Sequence, residues 1–218
     1  MKESKKNQNE PSPPSHTLAA KSTAILLAAG ESSRMGQLKA ILPWHGSPML
    51  DHQIHSLFDG GIDEVIVVLG HQKDLLLPML QHHAFVIPVY NRDYLSGKTT
   101  SIKSGLSKIN KMTTDCILLL NVDQPRSSTT IKTLLQYHQS SQALITIPSF
   151  NGKGGHPIIF DISLLKDLLD ISEASQGVKS VVSENHSKLQ KVPLDSEEVL
   201  WDLNTPDEYR YASDKSRQ

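Results

Sequence analysis

The stretch Ala24-Ile25-Leu26-Leu27-Ala28-Ala29-Gly30-Glu31-Ser32-Ser33-Arg34-Met35-Gly36-Gln37-Leu38-Lys39 passes directly from an apolar run into a charged loop. Residues 24–28 are continuously apolar, the pattern of a strand covered on both faces, because a strand with one wet face alternates. The small residues at 28–30 let the backbone approach a ligand closely, and successive N–H groups in such a loop can cradle an anion. Arg34 adds a fork of donors suited to phosphate oxygens and Lys39 a compact charge. The loop is neither the Gly-x4-Gly-Lys-Ser/Thr phosphate loop nor the Gly-x-Gly-x-x-Gly dinucleotide fingerprint.

Working outward, three further apolar runs follow at Val65–Leu69, Phe85–Val89 and Cys116–Leu120. Between and after them, helical faces are marked by Leu50, Ile54, Leu57 and Phe58, by Ile102, Leu106 and Ile109, and by Ile131, Leu134, Leu135 and His138. Strands alternating with helices predict an α/β fold with a mostly parallel sheet flanked by helices. Beyond Ala143–Pro148 the rhythm loosens. A Gly-rich loop precedes a strand at Pro157–Phe160, helices near 161–170 and 176–184, and strands near 189–193 and 198–203. In such sheets ligands bind beyond the carboxyl ends of the strands.

The chain has 218 residues, with 22 Lys and Arg against 23 Asp and Glu, a formal charge of 22 − 23 = −1. That balance argues against a nucleic-acid partner, since neutralising many phosphates needs a basic excess. Residues 1–22 are almost without large apolar side chains and are expected to be a disordered tail. The folded domain is expected over 23–212, with a C-terminal tail over 213–218. The single cysteine, Cys116, excludes an internal disulfide and a thiolate zinc cluster. No apolar stretch reaches the ~20 residues of a membrane span, and no signal-peptide core is visible. The expected compartment is the cytoplasm, with no membrane partner.

Two more segments carry chemistry. Leu120-Asn121-Val122-Asp123-Gln124-Pro125 sets an acid at the mouth of a buried strand, well placed for a hard cation; capping the next helix is the competing role, for which Ser127 and Ser128 lie nearer. Trp201-Asp202-Leu203-Asn204-Thr205-Pro206-Asp207-Glu208-Tyr209 puts Asp202 and Asn204 on one side of an expected strand end, where they could offer two oxygens to one ion. Thr205 and Pro206 then read as a helix N-cap and first turn.

Leu26-Leu27-Ala28-Ala29-Gly30-x-Ser32-Ser33-Arg34-Met35-Gly36-x-x-Lys39, with Leu42-Pro43 and Gly46-x-Pro48-Met49-Leu50, resembles the signature of the MobA-like nucleotidyltransferases, nearest the molybdenum cofactor cytidylyltransferase branch. Asp123-Gln124-Pro125, the closing Asp202 to Glu208 segment, Asn91-x5-Gly97-x3-Ser101-x3-Gly105 and Gly155-His156-Pro157 extend the likeness over about residues 23–212. The closing segment has Asp207-Glu208 where the family has Glu-Asp, and Lys98 stands where many relatives are apolar or small.

The resemblance implies a Rossmann-like, single-domain fold of the nucleotide-diphospho-sugar transferase type. It also implies an enzyme that transfers NMP from an NTP to an acceptor phosphate with Mg²⁺. By the same resemblance Leu27, Ala28, Ala29, Gly30, Ser32, Asn91 and Ser101 bind nucleotide. Arg34 and Lys39 hold the triphosphate and, with Asp123, are catalytic. Asp123 and Asp202 hold Mg²⁺, and Gly155, His156 and Asn204 face the acceptor. Ala28-Ala29 looks like the cytidine version of the base loop, pointing to CTP, with GTP the alternative. A molybdopterin-type acceptor is the first expectation; sugar, polyol or choline phosphates are alternatives. A non-catalytic cofactor carrier that serves a molybdenum hydroxylase partner, and a flavin- or nicotinamide-linked oxidoreductase, are the readings outside this chemistry.

Overall fold

The structure is a computed structural model that describes residues 21–217. Its central strand, β1 (Ser22–Ala28), is buried along its whole length. β4 (Glu64–Leu69) and β6 (Cys116–Asn121) flank it, both parallel to it, and β5 (Val86–Tyr90) lies outside β4. The full order is β10-β7-β9-β6-β1-β4-β5, where β7 is Ile145–Phe150, β9 Ile158–Asp161 and β10 Leu189–Pro193. β9 runs antiparallel to both β6 and β7, and the short β8 (Lys153–Gly154) pairs with β7. A mostly parallel mixed sheet is therefore what the four apolar runs build.

Alternate residues of β1 enter two cores. Ala24, Leu26 and Ala28 pack with Leu50, Ile54 and Leu57 of α1 (Met49–Asp59) and Ile131 and Leu134 of α4 (Ser128–Ser140). Ile25, Leu27 and Ala29 pack with Ile102 and Leu106 of α3 (Lys98–Leu106), Leu168 of α5 (Leu165–Asp170) and Val181 of α6 (Val178–Glu184). A two-residue turn at His45-Gly46, both with positive φ, joins the short strands β2 (Pro43–Trp44) and β3 (Ser47–Pro48). The remaining helices are α2 (Lys73–Leu80) and α7 (Pro206–Lys215). Among the described residues no helix is long and apolar enough to cross a membrane. Cys116 is buried in β6, and burial pushes its thiol up to about 12, so it is unreactive packing.

Four expectations need correction. Ser22 belongs to β1 and the Lys21 N–H donates to Asp115 Oδ2 at 2.7 Å, so these two residues belong to the fold; residues 1–20 lie outside the described residues. Residues 213–215 continue α7 instead of forming a tail. The Phe85–Val89 run begins one residue later, as an edge strand with Phe85 exposed, which suits the N–H-less Pro88 within it. No strand forms at 198–203, for a reason given below.

Candidate active site

The chain runs from β1 to β4 and β5 on one side, then crosses to β6 on the other, so the connections that follow β1 and β6 lead in opposite directions along the sheet. That is where an open α/β sheet leaves a crevice. Leu27 pairs with Asn121 and the Val122 N–H donates to the Leu27 carbonyl at 2.9 Å, so the two loops leave side by side. Ser32 adopts a left-handed φ of 56° ahead of a short turn at Ser33–Met35. Its Oγ accepts from the Lys39 N–H at 3.1 Å, folding the loop back on itself.

Lys39, only 8 % exposed, aims its ammonium into the crevice. Its Nζ donates to Asp123 Oδ2 at 2.6 Å and to Asn204 Oδ1 at 2.9 Å. Arg34 reaches the same Asn204 oxygen with Nη2 at 2.9 Å from an exposed position on the rim. Asn204 is in turn held by its N–H donating to Glu208 Oε2, beside the Thr205–Glu208 capping box that starts α7.

Two cavities meet here. One, of about 350 Å³, is walled by residues 27–30, Ser32, Lys39, Ser101, Asp123, Asp202 and Asn204. The other, of about 560 Å³, holds Gly155 and His156 in a wall that mixes aliphatic side chains with polar ones such as Glu173, Gln176 and His186. Asn204 thus stands with Lys39 in the first cavity, met by Arg34 from the rim, apart from Gly155 and His156 in the second. Asn91 lines neither cavity: its buried amide donates to Thr100 Oγ1 at 2.8 Å and Ser101 Oγ at 2.9 Å, fixing the first turn of α3.

Sequence reasoning assigned no role to Arg126, which is 1 % exposed and among the described residues has no carboxylate partner. Its guanidinium donates to the carbonyls of His156 (2.8 Å), Pro125 (2.8 Å), Val199 (3.0 Å) and Trp201 (3.0 Å). This side chain joins the three segments that carry Asp123, His156 and Asp202. The strand expected at 198–203 is absent because Glu197–Leu200 turns as a short 3₁₀ helix; the Val199 carbonyl accepts from the His156 N–H as well as from Arg126, and the Leu203 N–H donates to the Asp123 carbonyl at 2.9 Å. Asp202 and Asn204 consequently do not form a pair on a strand face, and Asn204 Oδ1 serves Lys39 and Arg34. Burial lowers Arg126 to about 9, against the pull of Glu198, Asp202 and Asp123, so it remains charged at neutral pH.

Gly155 fits beneath this staple because a Cβ there would stand 2.1 Å from the Val199 carbonyl oxygen. His156 is lowered to about 4 by burial and by the Arg126 and Lys98 charges, with Asp123 opposing, so at neutral pH it is an uncharged imidazole. Lys98 and Asn121 belong to both cavity walls, although neither was a sequence candidate. Burial lowers the Lys98 ammonium from its ordinary value, opposed by Asp123, Asp202 and Glu173. The signal that could have found Lys98 is its charge directly after Gly97 at the start of α3.

A family model described as a MobA-like NTP transferase domain matches residues 24–190, most of the chain and both strands of the crevice. The chain belongs to this MobA-like NTP transferase family. Curated relatives include the molybdenum cofactor cytidylyltransferase of Escherichia coli (strain K12), 26 % identical over 88 % of this chain and 95 % of that protein. The nicotine blue oxidoreductase of Paenarthrobacter nicotinovorans is 28 % identical over 84 % of this chain and 92 % of its own. Among solved structures, a nucleotidyl transferase from Methanothermobacter superposes with a TM-score of 0.75 at 22 % identity, covering 89 % of this chain and 97 % of that one. At that identity the superposition speaks to the fold alone.

Proposed function

We propose that the chain transfers CMP from CTP to the phosphate of a molybdopterin-type cofactor and releases pyrophosphate. The observation that carries this reading is a pair of cations, Lys39 and Arg34, meeting Asp123 and Asn204 on one wall of the crevice. Opposed charges in one site are what a metal–triphosphate complex requires. The choice of CTP rests on Ala28-Ala29 in the base loop, and the acceptor on Gly155-His156-Pro157 and on the Escherichia coli relative's name.

Among the described residues no three His, Cys, Asp or Glu side chains converge into a closed metal cage. Asp123 and Asp202, on one cavity wall, fit a magnesium ion, which takes one or two carboxylates and completes its shell with water and substrate phosphates. When bound, such an ion would supply charge neutralisation at the phosphates. The protein's own work is placement and electrostatics, since an acceptor phosphate is already a nucleophile. The backbone of residues 28–30 lets the nucleotide lie close to the sheet end. Lys39 and Arg34 stabilise negative charge that builds on the leaving pyrophosphate, and Asn204 holds both cations at the same place before substrate arrives.

A pyrophosphate-release screen of CTP, GTP, UTP and ATP with Mg²⁺, against the molybdenum cofactor and a panel of sugar, polyol and choline phosphates, tests the reading. CTP with the cofactor is expected to react fastest. A GTP preference would overturn the base assignment, and absence of pyrophosphate with every pair would overturn transfer, leaving a carrier role. The oxidoreductase name of one relative adds a control: NAD(P)H absorbance should not change with the protein.

A further inference from the structure

We propose that Lys98 binds the acceptor's phosphate at the junction of the two cavities, with the acceptor's apolar or heteroaromatic body in the larger one; this rests on the nucleotidyl-transfer reading. Lys98 is the cation common to both cavity walls. Among the described residues its ammonium makes no hydrogen bond or ion pair, whereas Lys39 and Arg34 are already committed to Asp123 and Asn204. His156, the other candidate beside it, is uncharged at neutral pH and offers a phosphate dianion a hydrogen bond without a charge.

The placement of Lys98 is built. Glu173 accepts from the Thr99 N–H at 2.8 Å and from Thr99 Oγ1 at 2.9 Å, which fixes the first turn of α3 directly after Lys98. Gly97, with φ of 118°, lets the chain enter that turn, and a Cβ there would lie 2.4 Å from Glu173 Oε1. Ile102, Leu119, Ile147, Ile158 and Val182 furnish the larger cavity. Those aliphatic side chains offer a flat ring system an apolar face, and Gln176, Ser183 and His186 on the same wall offer partners to its polar edge groups. In the transfer itself, an oxygen of the acceptor phosphate forms a bond to the α-phosphorus of the nucleotide. The bond from that phosphorus to the bridging oxygen breaks, and its electron pair leaves with pyrophosphate. Lys98 would hold the attacking phosphate while Lys39 and Arg34 hold the departing one.

Phenyl phosphate, an aromatic phosphate monoester, is the probe. Titration calorimetry on the whole chain should show it binding wild type, with affinity about 10- to 100-fold weaker in Lys98→Met, the span expected for one charge-assisted hydrogen bond. Lys98→Arg should recover part of the loss, and CTP affinity should stay unchanged in both variants. Unchanged phenyl phosphate binding in Lys98→Met, no binding to wild type, or a loss that falls on CTP instead would each overturn the assignment. Pyrophosphate release by wild type is measured separately: its absence with phenyl phosphate binding intact defeats the transfer reading and leaves the Lys98 anion site standing.

Discussion

Replacing Arg126 with methionine should cost more stability than almost any other single change in this domain. The guanidinium uses four of its five N–H groups on carbonyls from three separate segments, and the side chain is 1 % exposed. Hydrogen bonds from a charged donor contribute about 1.5–3 kcal/mol each, so the four sum to roughly 6–12 kcal/mol gross. Against that stands the desolvation of a buried cation, several kcal/mol, which methionine does not incur. The balance is a net loss of about 3–5 kcal/mol, comparable to breaking a buried ionic network. For a domain near 200 residues each kcal/mol lowers Tm by roughly 2–4 °C, so a fall of about 6–20 °C is expected. Urea unfolding with an unchanged m value would measure it as stability and not as a change in the unfolded chain. Arg126→Lys should recover little, because a single ammonium cannot span carbonyls on three segments. A methionine variant within about 1 kcal/mol of wild type would refute the reasoning, since it would mean that the carbonyls find water or other partners at no cost.

Two further outcomes follow from the same geometry. Lys39→Ala and Asp123→Ala should each lower kcat/KM for nucleotidyl transfer by about 100-fold or more, with the fold retained by circular dichroism but a lower melting temperature, because each leaves one partner of a largely buried ion pair alone; a normal rate in either variant removes that residue from the mechanism. His52, on α1, is lowered to about 4 by burial and by the neighbouring His45 and His55, with Glu198 opposing. The folded protein therefore keeps it neutral while the unfolded chain binds a proton near 6.5. Between about pH 6.5 and 4 the unfolded state holds more protons, so stability falls as pH falls, by about 3 kcal/mol at most for this half-buried group. Urea titrations at pH 7 and pH 4.5 should show a smaller acid loss in His52→Gln than in wild type, and identical losses would sink the assignment.

The fold was legible wherever burial is two-sided. The runs containing Ala24–Ala28, Val65–Leu69 and Cys116–Leu120 are β1, β4 and β6, and nothing in their sequence had to be weighed against tertiary context. The α2 helix was not legible. Its Lys73-Asp74-Leu75-Leu76-Leu77-Pro78-Met79-Leu80 has three leucines in a row and an internal proline, and only Leu76 and Leu80 are buried, while Leu75 and Leu77 are exposed. A one-turn apolar spacing hidden among exposed leucines carries no readable period.

The site divides along the same physical line. Residues on the two loops that leave β1 and β6 could be read, because their position follows from where those buried strands stop. Arg126 could not, because its role depends on contacts between segments distant in sequence. Arg126 follows Asp123-Gln124-Pro125 and looks like a solvated loop cation, yet it is buried by segments 30 and 73 to 75 residues further along. Nothing local distinguishes it from an exposed arginine until those carbonyls arrive. The missing strand at 198–203 belongs to the same region: Glu197–Leu200 turns as a 3₁₀ helix, and residues 199 and 201 offer their carbonyls to a side chain that no period in their own sequence announces. Among the described residues the buried Arg126 side chain bonds to backbone oxygens alone, and it ties together the segments that carry Asp123, His156 and Asp202 as paired strands would otherwise do.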